Sequence, residues 1–271
     1  MDALDDTPAV EFRNVYISFD EKQVLSDISF QVARGGTLIL LGVAGSGKSV
    51  LLKLVAGLLK PDSGEILVDG QDLVPIPEAQ LGPFRKRMGI VFQEGALFDS
   101  LSVYENVAYP LREAGDRNEN EIEKRVREVL GFVEMEAALE KMPSELSGGM
   151  RRRVSVARAI VSQPHLMLYD SPTAGLDPVT ANTITVLLAK LRDFGHVSSI
   201  VVTHRIQDGY VLANFVYSPE KQTLVPPSSN GGAGSAPATR FLVLRDGGVY
   251  FEGTAAKLVA ASDAFLRRFL V

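Results

Sequence analysis

Apolar and polar positions along the chain follow patterns that predict strands alternating with helices. Val10-Glu11-Phe12 and residues 24–32 alternate or nearly alternate, as strands with one buried face do. The continuous apolar runs 166–170 and 199–203 predict strands in the middle of a parallel sheet. Other segments predict further strands, a helix that follows the strand at 37–41, and a terminal hairpin. These are strands at 37–41, 65–68 and 88–93, the helix at 50–56, and the hairpin strands at 241–244 and 249–251.

A charged block interrupts this strand–helix pattern. Residues 101–145 have a helical period, most clearly at 119–130, and predict an inserted helical subdomain at about 95–160. The sequence 226–238 is rich in Pro, Gly and Ser and predicts a mobile surface loop. Residues 255–271 predict an amphipathic helix. We interpret residues 1–271 as one domain of the α/β class.

A glycine-rich loop between the strand at 37–41 and the helix at 50–56 carries the clearest chemistry. Residues 42–49 match the phosphate-binding pattern G-x-x-x-x-G-K-[ST] in its required context. The glycines let backbone N–H groups surround an anion, and the following helix presents its positive end. Lys48 adds a charge for the outer phosphates, and the Ser49 hydroxyl can bind Mg²⁺.

Composition narrows the possible partners and locations. The chain has 271 residues, 46% of them hydrophobic, which is enough for a sizeable core. The net charge is −5 and no basic stripe is long enough to suggest nucleic acid, so we expect no nucleic-acid partner. There is no cysteine, which excludes disulfides and thiolate metal sites. No apolar run reaches the ~18 residues needed to span a bilayer, so another chain must carry any spans. The acidic, polar residues 1–8 are unlike a signal peptide and the lack of cysteine suits a reducing cytosol, so we expect a cytoplasmic location.

Two further segments can bind an anion and a metal ion. The run Leu146-Ser147-Gly148-Gly149-Met150 precedes a predicted helix at 151–161, which Ser147 can cap while the glycines leave N–H groups uncovered. Asp170 ends a buried strand, where a carboxylate beside a phosphate loop suits Mg²⁺. Taken alone, the first segment is an ordinary helix start and Asp170 is a cap for the next turn.

Together these motifs resemble those of the ATP-binding cassette (ABC) ATPases over nearly the whole chain. The order is the phosphate loop, Gln93, LSGGM at 146–150, Asp170, the segment 171–177 and His204. The resemblance implies a P-loop NTPase fold with an N-terminal antiparallel β part and an inserted α-helical subdomain. It also implies ATP hydrolysis, with ATP and Mg²⁺ as the cofactors.

The resemblance assigns roles to individual residues. Phe19 would stack on adenine, with Tyr16 as the second choice. Gln93 would sense Mg²⁺ and the attacking water, and His204 would contact the γ-phosphate. The resemblance also implies which residues bind the phosphates and which bind the metal ion. Phosphate binding falls to Gly42, Gly45, Ser46, Gly47, Lys48, Ser49 and Val50, and metal binding to Ser49, Gln93 and Asp170.

Members of the ABC family work as two cassettes that face head to tail. The resemblance therefore implies a homodimer in which Ser147, Gly148 and Gly149 cap the ATP of the partner, and Asp177 lies in a loop that crosses the interface. It also implies two transmembrane permease subunits and a peripheral position on the inner face of the inner membrane.

The sequences of several segments are similar to those of the ATPases of mammalian-cell-entry (MCE) type lipid transporters. The segments are QEGALF at 93–98, ENVAYPLRE at 105–113 and MPSE at 142–145. This resemblance implies an MCE-type lipid-binding protein and a small regulatory subunit as further partners. The alternative is the ATPase of another solute importer, although the signature of such importers more often ends in Gln, where this chain has Met150.

The chain departs from the family pattern after Asp170, where Ser171 replaces the usual Glu. A serine hydroxyl is too weakly basic to take a proton near neutral pH, and loss of a general base costs about 10²–10⁴-fold in rate. Three accounts remain open. Ser171, Gln93 and His204 can orient the water for slow hydrolysis; Glu94 or Asp177 can supply the missing group; or the chain is an ATP-dependent dimer clamp that does not hydrolyse.

A second departure is the additional segment 217–240, which contains the Pro/Gly/Ser-rich loop. Long surface loops cost little stability, so one interpretation is a tolerated insertion. The other is a contact for a regulatory or membrane subunit.

Overall fold

The computed structural model describes residues 7–115, 118–227 and 238–269. The strands in chain order are β1 (Val10–Phe19), β2 (Lys22–Val32), β3 (Thr37–Gly42), β4 (Ser63–Val68), β5 (Gln71–Asp72), β6 (Met88–Val91), β7 (Leu166–Asp170), β8 (Ser198–Val202), β9 (Val216–Ser218), β10 (Thr223–Val225), β11 (Thr239–Arg245) and β12 (Gly248–Gly253). The helices are α1 (Lys48–Val55), α2 (Gly82–Arg85), α3 (Val103–Glu113), α4 (Glu119–Phe132), α5 (Gly148–Ile160), α6 (Pro178–Gly195), α7 (Ile206–Asn214), α8 (Ala255–Ala260) and α9 (Ala264–Arg267).

A six-stranded sheet in the order β12-β11-β3-β8-β7-β6 forms the centre of the molecule. All neighbouring pairs are parallel except β11 and β12. Every residue of β3 and β8 is buried, and β7 is buried except at Asp170, because both faces of these strands are covered. The predicted buried parallel strands are therefore confirmed. Since parallel strands end at one edge, the segments that follow β3, β7 and β8 meet there.

Side chains of β3 alternate between two hydrophobic cores. Leu38 and Leu40 face a core shared with α1 and the N-terminal strands. Ile39 and Leu41 face a core shared with α3 to α6. The strand is therefore a common wall of both cores.

The N-terminal strands form a separate antiparallel sheet in the order β2-β1-β4-β5. Phe12 and Phe30 stack across the β1–β2 pair, with ring centroids 4.7 Å apart. This sheet covers one face of the central sheet near α1. The predicted N-terminal antiparallel part is confirmed.

Helices α3, α4 and α5 lie in the range predicted for the helical subdomain. Ser102 caps α3 in a capping box with Glu105. The buried amide of Asn106 ties the preceding loop to this helix, because it bonds both the N–H and the carbonyl of Phe98. These helices pack on one another and so fix the start of α5.

The C-terminal segment differs from the single helix predicted at 255–271. The structure has two short helices, α8 and α9, separated at Ala261. The Asp263 carboxylate accepts hydrogen bonds from the N–H groups of Phe265 and Leu266 at 2.9 and 3.0 Å, and it therefore starts a new helix. Residues 270 and 271 lie outside the described part.

Between α7 and β11 the structure shows a two-stranded hairpin of β9 and β10. The predicted mobile loop at 226–238 lies outside the described residues for most of its length. Among the ranges that the structure describes, no helix combines the length and the apolar character that a membrane span needs.

Candidate functional site

The glycine-rich loop joins the end of β3 to the start of α1. Gly45 and Gly47 have φ values of +78° and +93°, in the left-handed region that favours glycine. A Cβ atom on Gly47 would also lie 2.5 Å from a methyl carbon of Leu25. The loop sequence thus fits a conformation and a close contact that other residues would disturb.

The Lys48 side chain folds under this loop and is only 6% exposed. Its ammonium group donates to the carbonyls of Gly42 and Val43 at 2.9 and 2.8 Å, and to the Ser46 hydroxyl at 3.4 Å. Burial lowers the pKa of Lys48, and the negative charge of Asp170 partly opposes this shift. Because its hydrogen bonds go to neutral oxygens, the buried charge would be stabilised by an anion in the loop.

Oxygen atoms collect around Asp170 at the end of β7. The Ser49 hydroxyl donates to Asp170 Oδ2 at 2.9 Å, and the Ser171 hydroxyl donates to Oδ1 at 3.3 Å. Within the described residues no cluster of three or more His, Asp or Glu side chains is placed to hold a metal ion. A lone carboxylate with hydroxyl neighbours fits Mg²⁺, which keeps several waters and binds substrate phosphates.

A cavity of about 300 Å³ joins the segments that follow β3, β7 and β8. Most of the predicted phosphate, metal and catalytic residues line it. They are Gly45, Gly47, Lys48, Ser49, Val50, Gln93, Asp170, Ser171 and His204. Gly42 and Ser46 do not line the cavity but hold the Lys48 ammonium group.

His204 follows β8 and faces this cavity. Partial burial lowers the pKa of His204, the positive charge of Lys48 lowers it further, and Asp170 acts in the opposite direction. The imidazole is therefore neutral near pH 7 and can donate one hydrogen bond and accept another.

Ser171 is 3% exposed and has a φ of +50°. Its backbone N–H donates to the carbonyl of Val202 at 2.9 Å, which ties the end of β7 to the end of β8. Among the described residues that line the cavity, Asp170 is the sole carboxylate. The cavity therefore contains no general base of the usual kind.

Neither of the two other candidate carboxylates reaches this cavity. Glu94 lines a neighbouring cavity of about 640 Å³, together with Arg151 and Arg152. Asp177 caps α6, where it accepts from the N–H groups of Val179 and Thr180 at 3.0 Å. The hydrogen bonds from Thr180 lower the pKa of Asp177, which weakens it as a base.

The LSGGM segment lies at the start of α5 and does not line the cavity around Lys48. Ser147 and Gly148 are exposed, and the Ser147 hydroxyl accepts from the N–H of Met150 at 3.3 Å. Gly149 is buried, and a Cβ atom there would lie 2.4 Å from a methyl carbon of Thr180. The helix end thus presents two residues outward and packs the third against α6.

The predicted adenine-stacking residues also lie away from the cavity. Phe19 ends β1 and is 42% exposed, while Tyr16 is half-buried in the same strand. Val24 and Val202 line the cavity, although sequence analysis did not select them. Both are apolar positions within strands, and no local signal separates them from core residues.

The order and placement of these segments match a known family. The sequence profile of the ABC transporter family matches residues 25–174. The chain belongs to the ABC transporter family. It is an ABC ATPase, so the predicted family and activity are confirmed.

Several ABC relatives are similar over most of the chain. The intermembrane phospholipid transport system ATP-binding protein MlaF of Haemophilus influenzae is 35% identical over 261 residues, which are 96% of this chain and 89% of MlaF. The Escherichia coli K12 protein of the same name is also 35% identical, with 88% of its length covered. The probable ribonucleotide transport ATP-binding protein mkl of Mycobacterium leprae is 38% identical over 73% of this chain and 57% of mkl.

Solved ABC structures share the fold. The dimeric cassette MJ0796, in a post-hydrolysis state bound to ADP and Pi, has a TM-score of 0.74 at 30% identity, with 90% of this chain and 98% of that chain covered. The cbiO1 subunit of Clostridium perfringens has a TM-score of 0.78 at 26% identity, with 97% and 95% covered. The predicted α/β P-loop class is therefore confirmed.

Proposed function

We propose that this ABC ATPase is the energising subunit of an MCE-type lipid transporter, working as a homodimer beneath two permease subunits. The observation that carries the ATPase part is the cavity that unites Lys48, Asp170 and His204. The lipid assignment rests on similarity to MlaF over 96% of the chain, whereas similarity to mkl extends over 73%. An MCE-type lipid-binding protein and a small regulatory subunit are part of this proposal, as is a peripheral position on the inner membrane.

The residues of the cavity divide the binding of ATP between them. The loop N–H groups and Lys48 bind the β- and γ-phosphates, and His204 contacts the γ-phosphate. Ser49, Gln93 and Asp170 would hold Mg²⁺, which would neutralise charge on the phosphates. Phe19, at the end of β1 and outside this cavity, would stack on adenine, as the family pattern implies. Phosphoryl transfer depends mainly on such positioning and charge neutralisation, which supports turnover even without a strong base.

Ser171 sets the rate in this proposal. Its hydroxyl is committed as a donor to Asp170, so its lone pairs can accept a hydrogen bond from water but cannot hold a proton near neutral pH. Water oriented by Ser171, Gln93 and His204 supports slow hydrolysis. A non-hydrolysing ATP-dependent clamp is the second candidate, because the cavity lacks the usual carboxylate.

The exposed start of α5 supports a composite site between two copies. Ser147 and Gly148 face outward and lie apart from the cavity of their own chain. A helix start with free N–H groups attracts anions, and in a head-to-tail dimer it would bind the γ-phosphate held by the partner. MJ0796 forms a dimer in its solved structures.

Ser147→Arg is expected to abolish the ATP-dependent dimer, because a bulky cation would block the helix end. Ser147→Asp should do the same by repelling the γ-phosphate, and it preserves the cap of α5. The exposed Ser262→Arg is the matched control, which adds the same charge outside the site. Light scattering with Mg-ATP measures the dimer. An ATP-dependent dimer that persists in both Ser147 variants would argue against the composite site.

An aromatic surface beside Gln93 supports contact with membrane subunits. Phe92, Phe98 and Tyr109 are each about 40% exposed or slightly more. The rings of Phe98 and Tyr109 lie 4.8 Å apart, and Arg158 lies 5.5 Å from the centre of the Phe98 ring. Because aromatic residues and Arg are enriched in interfaces, this surface fits a permease segment next to the loop that reaches the cavity.

Lipid transport is tested with the complex of this chain and its permease in vesicles. We expect Mg-ATP to drive transfer of a fluorescent phospholipid, with no transfer in complexes that carry Lys48→Ala. Uptake of labelled ribonucleotide is measured in parallel, because the relative mkl is named as a probable ribonucleotide transport protein. Uptake of nucleotide without lipid transfer would replace the lipid assignment by that of another solute importer and leave the ATPase assignment intact.

A further inference from the structure

A buried carboxylate lies four residues after His204 and takes part in no contact assigned above. Asp208 is 5% exposed and belongs to the first turn of α7. The Thr173 hydroxyl donates to Asp208 Oδ2 at 2.5 Å. The hydroxyls of Thr203 and Thr185 lie 3.3 and 3.4 Å from its two oxygens. Thr173 is therefore the main donor to the carboxylate, because the Thr185 hydroxyl also donates to the carbonyl of Ala181 at 3.1 Å and the Thr203 hydroxyl to that of Arg205 at 3.3 Å.

The three threonines come from different segments. Thr173 lies in the segment between Ser171 and Asp177, and Thr203 directly precedes His204. Thr185 lies in the interior of α6 and belongs to neither catalytic segment. Asp208 thus connects the segment after β7 with the segment after β8.

Additional contacts reinforce the link to His204. Arg205 Nε lies 3.6 Å from Asp208 Oδ1, and the backbone N–H of Arg205 donates to the Thr203 hydroxyl at 3.0 Å. The residues on both sides of His204 are therefore held by this cluster. Asp208 itself does not line the cavity around Lys48, so it can act on the reaction only through these neighbours.

We propose that Asp208 is a positioning residue for ATP hydrolysis, which holds His204 and the segment from Ser171 to Asp177 in one fixed mutual arrangement. Hydrogen bonds to a buried charge are stronger and more directional than neutral ones, so this cluster resists small displacements. The proposal rests on the role given to His204 under the proposed function. Misplacement of a catalytic group by about 1 Å can reduce a rate by ~10²-fold.

Two substitutions and one matched control test the proposal. Asp208→Asn weakens all three contacts without changing the size of the side chain, and Thr173→Val removes the donor from the Ser171 segment. Thr185→Val is the control, because it removes a donor to the same carboxylate from α6. We expect kcat for ATP hydrolysis to fall about tenfold in the first two variants, with KM changed by less than about twofold. Thr185→Val should lower Tm about as much as Thr173→Val does, because each removes a buried hydrogen-bond donor. It should leave kcat within about twofold of the wild-type value.

A second readout does not need turnover. The protein has three histidines, so the His204 imidazole can be assigned in NMR spectra by comparison with His204→Gln. We expect its signals to shift or broaden in Asp208→Asn and Thr173→Val but not in Thr185→Val.

The two measurements separate the possible failures. If kcat follows Tm equally in all three variants, or if Asp208→Asn leaves kcat and the His204 signals unchanged, Asp208 is only structural and the proposal is overturned. If the wild type shows no hydrolysis, the proposed function fails, while the His204 signals still decide whether Asp208 positions this residue.

Discussion

Lys48→Ala is expected to weaken ATP binding by about 10²-fold or more and to reduce hydrolysis below detection. The substitution removes the one ammonium group that the loop encloses, and the phosphates would then bind without their charge partner. It also removes the hydrogen bonds from the ammonium group to the carbonyls of Gly42 and Val43, although Val43 keeps its bond from the Ser46 N–H at 3.2 Å, so the empty loop loses part of its support.

The matched control is Lys53→Ala, which removes an exposed lysine from the same helix. Titration with a fluorescent ATP analogue measures both affinities. Unchanged affinity in Lys48→Ala would show that the loop is not the phosphate site.

The affinity for ATP should also depend on pH. Burial lowers the pKa of Lys48 in the free protein, and a bound phosphate raises it again by supplying negative charge. Binding is therefore coupled to proton uptake, and affinity falls as pH rises above the lowered pKa of the free protein. Lys48→Ala should lose this component.

Ser171→Glu is expected to raise the turnover of ATP by up to about 10²–10⁴-fold. The variant restores a base beside the γ-phosphate. Among the described residues that line the cavity, Asp170 is the sole carboxylate in the wild type. Affinity for ATP should fall slightly, because the new carboxylate repels the phosphates. Steady-state phosphate release, with the permease present, measures the change.

Ser171→Gln is the matched control, because it has the shape of Glu and no basic oxygen. It should stay at or below the wild-type rate. A wild-type rate that Ser171→Glu does not exceed would mean that Ser171 is not limiting and that another group compensates. If neither protein hydrolyses ATP in a single turnover while both bind it, the ATP-dependent clamp replaces the slow ATPase.

Local patterns predicted the parts of the site that are contiguous in the chain. The loop around Lys48 was recognisable because strand, glycines and helix follow one another directly. The buried strands were recognisable because both of their faces are apolar. In contrast, the break near Asp263 depends on a single capping side chain, which the helical period of residues 255–271 does not show.

Contacts between segments that are far apart in the chain could not be predicted from the sequence. Val24 reaches the cavity because β2 lies beside the loop, and this placement follows from tertiary packing alone. Thr173 lies in a loop and Asp208, 35 positions later, lies in a helix. No local sequence pattern indicates that these two segments are in contact. The sequence left Glu94 and Asp177 open as substitute bases, but the structure places both outside the cavity.

The strand order of the central sheet has a consequence for how the chain reaches its folded state. β3 pairs with β8 and with β11, which follow it by more than 150 residues. Closing such long loops costs entropy before any pairing is gained, so folding is slow compared with proteins of local topology. During synthesis, β3 and the two cores that it divides stay incomplete until residues 239–245 have been added. Its apolar side chains are therefore exposed to aggregation for most of translation, and a chaperone that covers them would raise the yield of folded protein.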